Sequence, residues 1–289
     1  MFINNNLKPH LVLHHNLNFK TYYKEIYSLI KRLYLQALRR PTIIITGIIQ
    51  PLLWFILFGA LFREVQINIS SSSIYEQQYL NFLNAGIIVF TTFTGGLNAG
   101  LPLIFDREFG FLNRLLLSPV NSYYSLVISN LGFNIFITTI QSGLIMIFTC
   151  YYLKEKIFFY QIFAIIITLI LLNTIISQIS IFLAFLLPGH IEFLGFIILI
   201  NLPSLFASTA LAPMILMPNW LQIIACINPM TYAIEITRII INHSSIIHSI
   251  QIMKTTWFDI SLYNSIIVLI NLNIINTFLS HNIIKHKYK

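Results

Sequence analysis

Apolar positions in this chain form long uncharged blocks, and polar residues gather between them. Thr42 to Phe62 carries no charge for 21 residues, about the length that crosses ~30 Å of hydrocarbon. Phe82 to Phe105 is uncharged again, and no charge occurs from Pro119 to Leu153, which places a third span at 124–151. A fourth block, Ile157 to Ile191, breaks at Pro188–Gly189. The next apolar run, from Phe193, exceeds one span. It divides into a fifth crossing at Phe193–Leu211 and a partly apolar, extramembrane or re-entrant region at Pro213–Thr255. Asp259 to Ile284 contains a last span, weakened by Asn264, Asn271, Asn273 and Asn276.

The segments between the blocks are short and polar. Arg63 to Asn81, with its serine run at Ser70–Ser73, reads as a loop, and so does Lys154–Lys156. Ahead of the first block, Thr21–Arg40 has Ile26, Ile30, Leu33 and Ala37 along one side and Lys24, Lys31, Arg32, Arg39 and Arg40 elsewhere. This pattern predicts a helix lying in the membrane interface, with Pro41 changing the chain's direction. The first 20 residues are polar, with no apolar run of signal-peptide type, so no cleaved secretory signal is expected.

The pattern therefore predicts an all-α integral membrane protein. It has six transmembrane helices, an N-terminal interfacial amphipathic helix and a short helix between spans two and three. Its divisions are a polar segment and interfacial helix at 1–41, a six-span domain at 42–284 and a basic tail at 285–289. In the connecting stretch, Asp106 to Pro119, Phe109, Leu112 and Leu116 share one helical face, while Arg107 and Arg114 sit seven apart on another. Asp106 and Glu108 are expected in the first turn of that helix, where negative charge is favoured. Pro119 is expected to stop it.

Composition agrees with burial in lipid: mean hydropathy is +0.79, and 9% of residues are charged against roughly 25% in soluble domains. The net charge of +8 is concentrated at the ends, with seven of the 17 Lys and Arg in the first 41 residues. Six spans put both termini and the 106–119 loop on one side with 12 cationic residues, against 5 on the other. The positive-inside rule makes that side cytoplasmic or its organellar equivalent. The basic ends suit membrane lipid rather than nucleic acid, for there is no arginine-rich or aromatic-interleaved stripe. With 56 Ile and 23 Asn against 11 Ala, the usage fits an AT-rich genome.

Chemistry-bearing motifs are missing. No Gly is followed by Lys, so no Walker A phosphate loop exists. G-x-S-x-G and H-E-x-x-H are absent. The histidines have no ligand spacing, and Cys150 and Cys226 read as small apolar residues. No cofactor or metal is expected on this chain. Glu192 reads as interfacial, and Glu235 with Arg238 as a pair on one helix. The second span is rich in small residues, Gly86, Thr91, Thr94, Gly95, Gly96 and Gly100, which suit close helix packing or a pathway lining.

Several short motifs, in order, resemble the ABC-2-type permeases, nearest the daunorubicin or drug-resistance exporter branch. They are Arg39–Arg40–Pro41 with Gln50–Pro51–Leu52–Leu53–Trp54 and Phe58–Gly59; Phe82, Leu83 and Gly86; Asp106–Arg107–Glu108–Phe109–Gly110–Phe111–Leu112 through Leu115, Leu116, Ser118 and Pro119; and Pro218, Trp220, Asn228–Pro229, Thr231–Tyr232 and Arg238. Asn113 and Asn84–Ala85 depart from the family pattern. The resemblance implies a permease subunit, not an enzyme, that provides the substrate pathway of an exporter. It implies a homodimer or a second permease chain, and a separate ATPase subunit that binds ATP and Mg. It also implies that Asp106, Arg107, Glu108, Gly110, Leu112, Arg114, Leu116 and Pro119 couple to that ATPase. Likeness to permeases of algal plastid genomes points to a plastid membrane, with a bacterial plasma membrane as the alternative. A structural subunit of a bioenergetic complex would fit the span pattern too, and a lipid-modifying enzyme would need clustered acids or histidines that the sequence lacks.

Overall fold

The structure, a computed structural model, describes residues 19–39, 41–67, 73–111, 123–154, 157–242, 251–254 and 259–287. The first helix, α1 (Phe19–Arg39), buries Leu29, Leu33 and Ala37 and leaves Tyr23, Tyr27 and Leu38 exposed. Its inner face rests on α5 (Tyr123–Leu153), where the Tyr34 and Phe136 rings meet edge to face at 6.5 Å.

Among the described residues, five helical runs are long and apolar enough to cross a membrane. They are α2 (Thr42–Ile67), α3 (Ser73–Leu97) continued by α4 (Leu101–Glu108), α5, α6 (Phe159–Leu186) and α10 (Leu262–Lys287). Three expected boundaries move. Helix α2 runs on to Ile67 and α3 starts at Ser73, inside the segment read as loop, while α10 absorbs part of the basic tail. The i→i−4 ladder continues through polar residues at the water layer, because ending a helix leaves carbonyls and amides unpaired.

The α3–α4 run is the central element, with Leu83 to Phe90 buried among α2, α5, α6 and α9 (Pro229–Asn242). Helix α7 (His190–Phe206) runs antiparallel to it: His190 meets Glu108, Phe193 lies beside Gly100, Asn201 beside Thr94, and Ala210 beside Gly86. At 17 residues α7 is shorter than the five runs above, and it starts and ends earlier than the expected fifth crossing, because Gly189 opens it and the chain turns at 207–212. The region read as extramembrane or re-entrant is a helical elbow: α8 (Asn219–Ile227) and α9 meet at 86°. An antiparallel pair of short strands, β1 (Gln251–Lys254) and β2 (Asp259–Ser261), then leads into α10. It adds a small ribbon to the otherwise helical fold.

One group of polar side chains inside the bundle pairs across α5 and α6. Asn134 on α5 donates to Ser177 Oγ at 2.8 Å and Asn173 Oδ1 at 3.2 Å on α6, and Asn173 returns a bond to Thr138 Oγ1 at 2.7 Å. In hydrocarbon such groups have few alternatives, so pairing across helices is what allows them there.

Candidate functional site

The triplet Asp106–Arg107–Glu108 lies just past the uncharged block that ends at Phe105, in the last turn of α4. That corrects the expectation that Asp106 and Glu108 open the connecting helix. The helix of the second span continues through the triplet and stops at Gly110, whose φ of +69° is left-handed, a conformation glycine adopts without strain. Two acids thus sit at the negative end of a helix, where they are unfavourable alone. Each is compensated by a partner from elsewhere.

Arg32 of α1 donates to Asp106 Oδ2 at 2.5 Å and stacks over Phe111, 4.6 Å from the ring centre. Arg107 reaches the end of α6 and donates to the carbonyls of Phe185 (3.2 Å), Leu187 and Pro188 (2.7 Å). Glu108 reaches the start of α7: Oε1 accepts the His190 backbone N–H at 2.7 Å, and Oε2 lies 2.5 Å from His190 Nδ1.

The charges match the backbone they meet. A helix C-terminus presents unpaired carbonyls and partial negative charge, and an N-terminus presents N–H groups and partial positive charge. Arg107 takes the first and Glu108 the second, across a connection of only Leu187–Gly189. Gly189 is part of the fit, because a Cβ there would lie 2.6 Å from Glu192 Oε2 and 3.0 Å from Glu108 Oε1. The triplet therefore ties the ends of α4, α6 and α7 to α1. Beyond it Phe109 is 79% exposed, an apolar ring on a ledge that the described residues leave largely uncovered.

The second-span glycines sit where other elements come closest. Gly86 backs onto Ala210, whose carbonyl oxygen would lie only 2.6 Å from a Cβ at residue 86; Gly95 faces Thr138, Gly96 faces Asn173 and Ile176, and Gly100 faces the Ser180 carbonyl at 2.6 Å from the same position. Thr94 donates to Asn201 Oδ1 at 3.2 Å, and Thr91 returns its hydroxyl to Ile87 O. Between Leu97 and Leu101 the helix tightens into a single 3₁₀ turn, Asn98–Gly100. Pro102 brings no N–H to the ladder, and Ser180 fills the break: its hydroxyl donates to Leu97 O and accepts Gly100 N–H at 2.9 Å.

At the opposite end lie the residues of the motif before the last span. Pro218 precedes α8, and Trp220 is exposed. The Asn228 amide donates to Ser204 O (2.9 Å) and Ala207 O (3.1 Å), while its oxygen accepts Met230 N–H at 3.0 Å. Pro229 takes the first position of α9, which needs no N–H. Arg238 pairs with Glu235, donates to Thr209 O at 2.7 Å and stacks 3.7 Å above Phe82.

Asp106, Arg107 and Glu108 are thus brought together with Gly110 following, while Leu112, Arg114, Leu116 and Pro119 lie outside the described residues. Sequence reasoning missed Arg32, Gly189, His190 and Ser180 as parts of these sites. The Pro188–Gly189–His190 break was visible, but its partner more than 75 residues away was not.

Comparison with known proteins gives one consistent result. The profile of the ABC-2 type transporter family matches residues 24–242. The chain is 46% identical over 262 residues to a Cyanophora paradoxa protein named as a transport permease, ycf38, covering 91% of this chain and 89% of that one. Proteins of the same name from Porphyra purpurea (45% over 264 residues, 91% and 89%) and Pyropia yezoensis (46% over 264 residues, 91% and 90%) are similarly close.

Proposed function

The chain belongs to the ABC-2 type transporter family, and on that premise we propose that it forms the membrane pathway of an exporter driven by a separate cassette ATPase. It is a multi-pass membrane permease. The ATP and Mg of the cycle bind to the partner ATPase, and two permease chains, identical or paired, enclose the pathway. The algal relatives favour a plastid membrane, with both termini and the triplet on the stromal side.

The observation that carries this reading is the double cap made by Arg107 and Glu108. A rigid-body displacement delivered to the Phe109–Gly110 ledge or to α1 passes through hydrogen bonds to the ends of α6 and α7 and along the buried α3–α4 run. Packed elements of this kind shift between discrete arrangements rather than deforming smoothly. The ATPase contact is assigned to the exposed Phe109 and to the outer face of α1, with Asp106, Arg107 and Glu108 transmitting from behind it.

Affinity isolation of the tagged chain from its native membrane tests the reading. A soluble cassette ATPase should co-purify, and a Phe109→Cys variant should cross-link to it, whereas Ile223→Cys at the far end should not. A chain isolated without any cassette protein, and no Phe109→Cys cross-link across the source's full set of cassette proteins, overturns it.

A further inference from the structure

Helix α7 is short for a membrane crossing. Its 17 residues rise about 25 Å, against ~30 Å of hydrocarbon. The turn that follows it is buried at 207–210, so its carbonyls outside the helical ladder need partners, and each unpaired group is costly. The structure supplies partners from three side chains. Asn228 donates to Ser204 O and Ala207 O, Arg238 to Thr209 O, and Tyr79 of α3 to Leu211 O at 3.3 Å. Two of the three, Asn228 and Arg238, belong to the α8–α9 elbow.

Among the described residues, the elbow carries few other ties of this kind to α7. Its short helix α8 turns Trp220, Ile223, Ile224 and Ile227 outward, while α9 packs on α3, α6 and α10. Within the seat, Arg238 Nε and Thr209 Oγ1 are buried with no hydrogen-bond partner among the described residues. The guanidinium is therefore held by only part of its donor set. A network left incomplete in this way is easier to exchange for another arrangement than a saturated one.

We propose that Asn228 and Arg238 are positioning residues of the transport pathway: they seat the elbow on the end of α7 remote from the triplet, and the pathway opens at that end when the seat releases. This rests on the permease reading above. The two ends of α7 would then be held alike, by Glu108 at its start and by Asn228 and Arg238 past its finish, so that one helix carries the movement between them.

Cys226, a free thiol in α8, reports on the seat, since its carbonyl oxygen accepts the Tyr232 hydroxyl at 2.7 Å within the elbow. In a Cys150→Ser background, the permease with its co-purified ATPase is reconstituted in vesicles. The rate of Cys226 modification by a membrane-impermeant maleimide is followed with and without ATP and Mg. The proposal expects slow modification without nucleotide and faster modification during turnover. It also expects a nucleotide-free rate raised about tenfold in Asn228→Asp and Arg238→Lys, the effect of losing roughly one hydrogen bond, with Trp220→Ala unchanged. The carboxylate introduced by Asn228→Asp would retain the acceptor for Met230 N–H while losing donation to α7. A wild-type rate in that variant therefore reduces Asn228 to a cap of α9 and overturns its role. Unchanged rates in both variants overturn the proposal entirely. If the variants react faster but nucleotide changes the rate in no protein, the seat stands as a structural tie and the permease reading fails.

Discussion

The carboxylate of Glu108 closes over Gly189 to accept the backbone N–H of His190 at 2.7 Å, and a side chain on residue 189 would occupy the same space. Gly189→Ala should therefore act at a distance on α4. It should displace the carboxylates of Glu108 and Glu192 and lower thermal stability only as far as the His190 N–H loses its acceptor. Thermal unfolding of the detergent-solubilised protein measures this. A stability equal to the parent's would mean the carboxylates move aside freely.

Glu108→Gln and Glu108→Ala should separate charge from hydrogen bonding. Gln retains an acceptor for the His190 N–H and should keep most of the coupling between ATP hydrolysis and transport, while Ala loses both and should uncouple them. Equal coupling in Ala and parent would remove Glu108 from the transmission path.

Arg107→Lys should not rescue Arg107→Ala. The planar guanidinium meets the carbonyls of Phe185, Leu187 and Pro188 at once, and a single ammonium cannot reproduce that fork. Both variants should insert normally, and the ATPase co-purified with them should hydrolyse ATP without transport. A fully coupled Lys variant would show that charge alone suffices.

Gly100→Ala and Gly143→Ala form a matched pair. The first places a methyl 2.6 Å from Ser180 O and 2.8 Å from Phe193, whereas the second meets nothing within 4 Å among the described residues. Gly100→Ala should destabilise by about 1–3 kcal/mol through overpacking, and Gly143→Ala should stabilise by up to ~1 kcal/mol through helix propensity. Similar melting temperatures for the two would contradict the contact geometry.

Asn84→Leu should raise stability. The amide of Asn84 is fully buried, and neither of its polar atoms has a hydrogen-bond partner among the described residues. Replacing it with an apolar group of similar size removes a desolvation penalty of about 1–3 kcal/mol. A lower melting temperature would point to a contact that the described part of the single chain does not contain.

Period and length of the apolar blocks determined much of this protein: the helical membrane class, the helix α1 ahead of the first block, and the existence of a connection worth reading at Asp106. Those signals are local, since lipid demands long uncharged helices wherever the chain crosses it. The order of motifs also carried the family. The direction of the triplet was decided elsewhere. Sequence spacing allowed Asp106 to begin a helix, yet the helix of the second span runs through it, because Arg32, His190 and the end of α6 neutralise what its own dipole disfavours. In the same way Asn228 and Arg238 were visible as a motif, but their partners are carbonyls at and beyond the end of the 17-residue helix α7. Backbone dipoles and unpaired carbonyls have no letter in a sequence, and only the folded chain brings side chains to them.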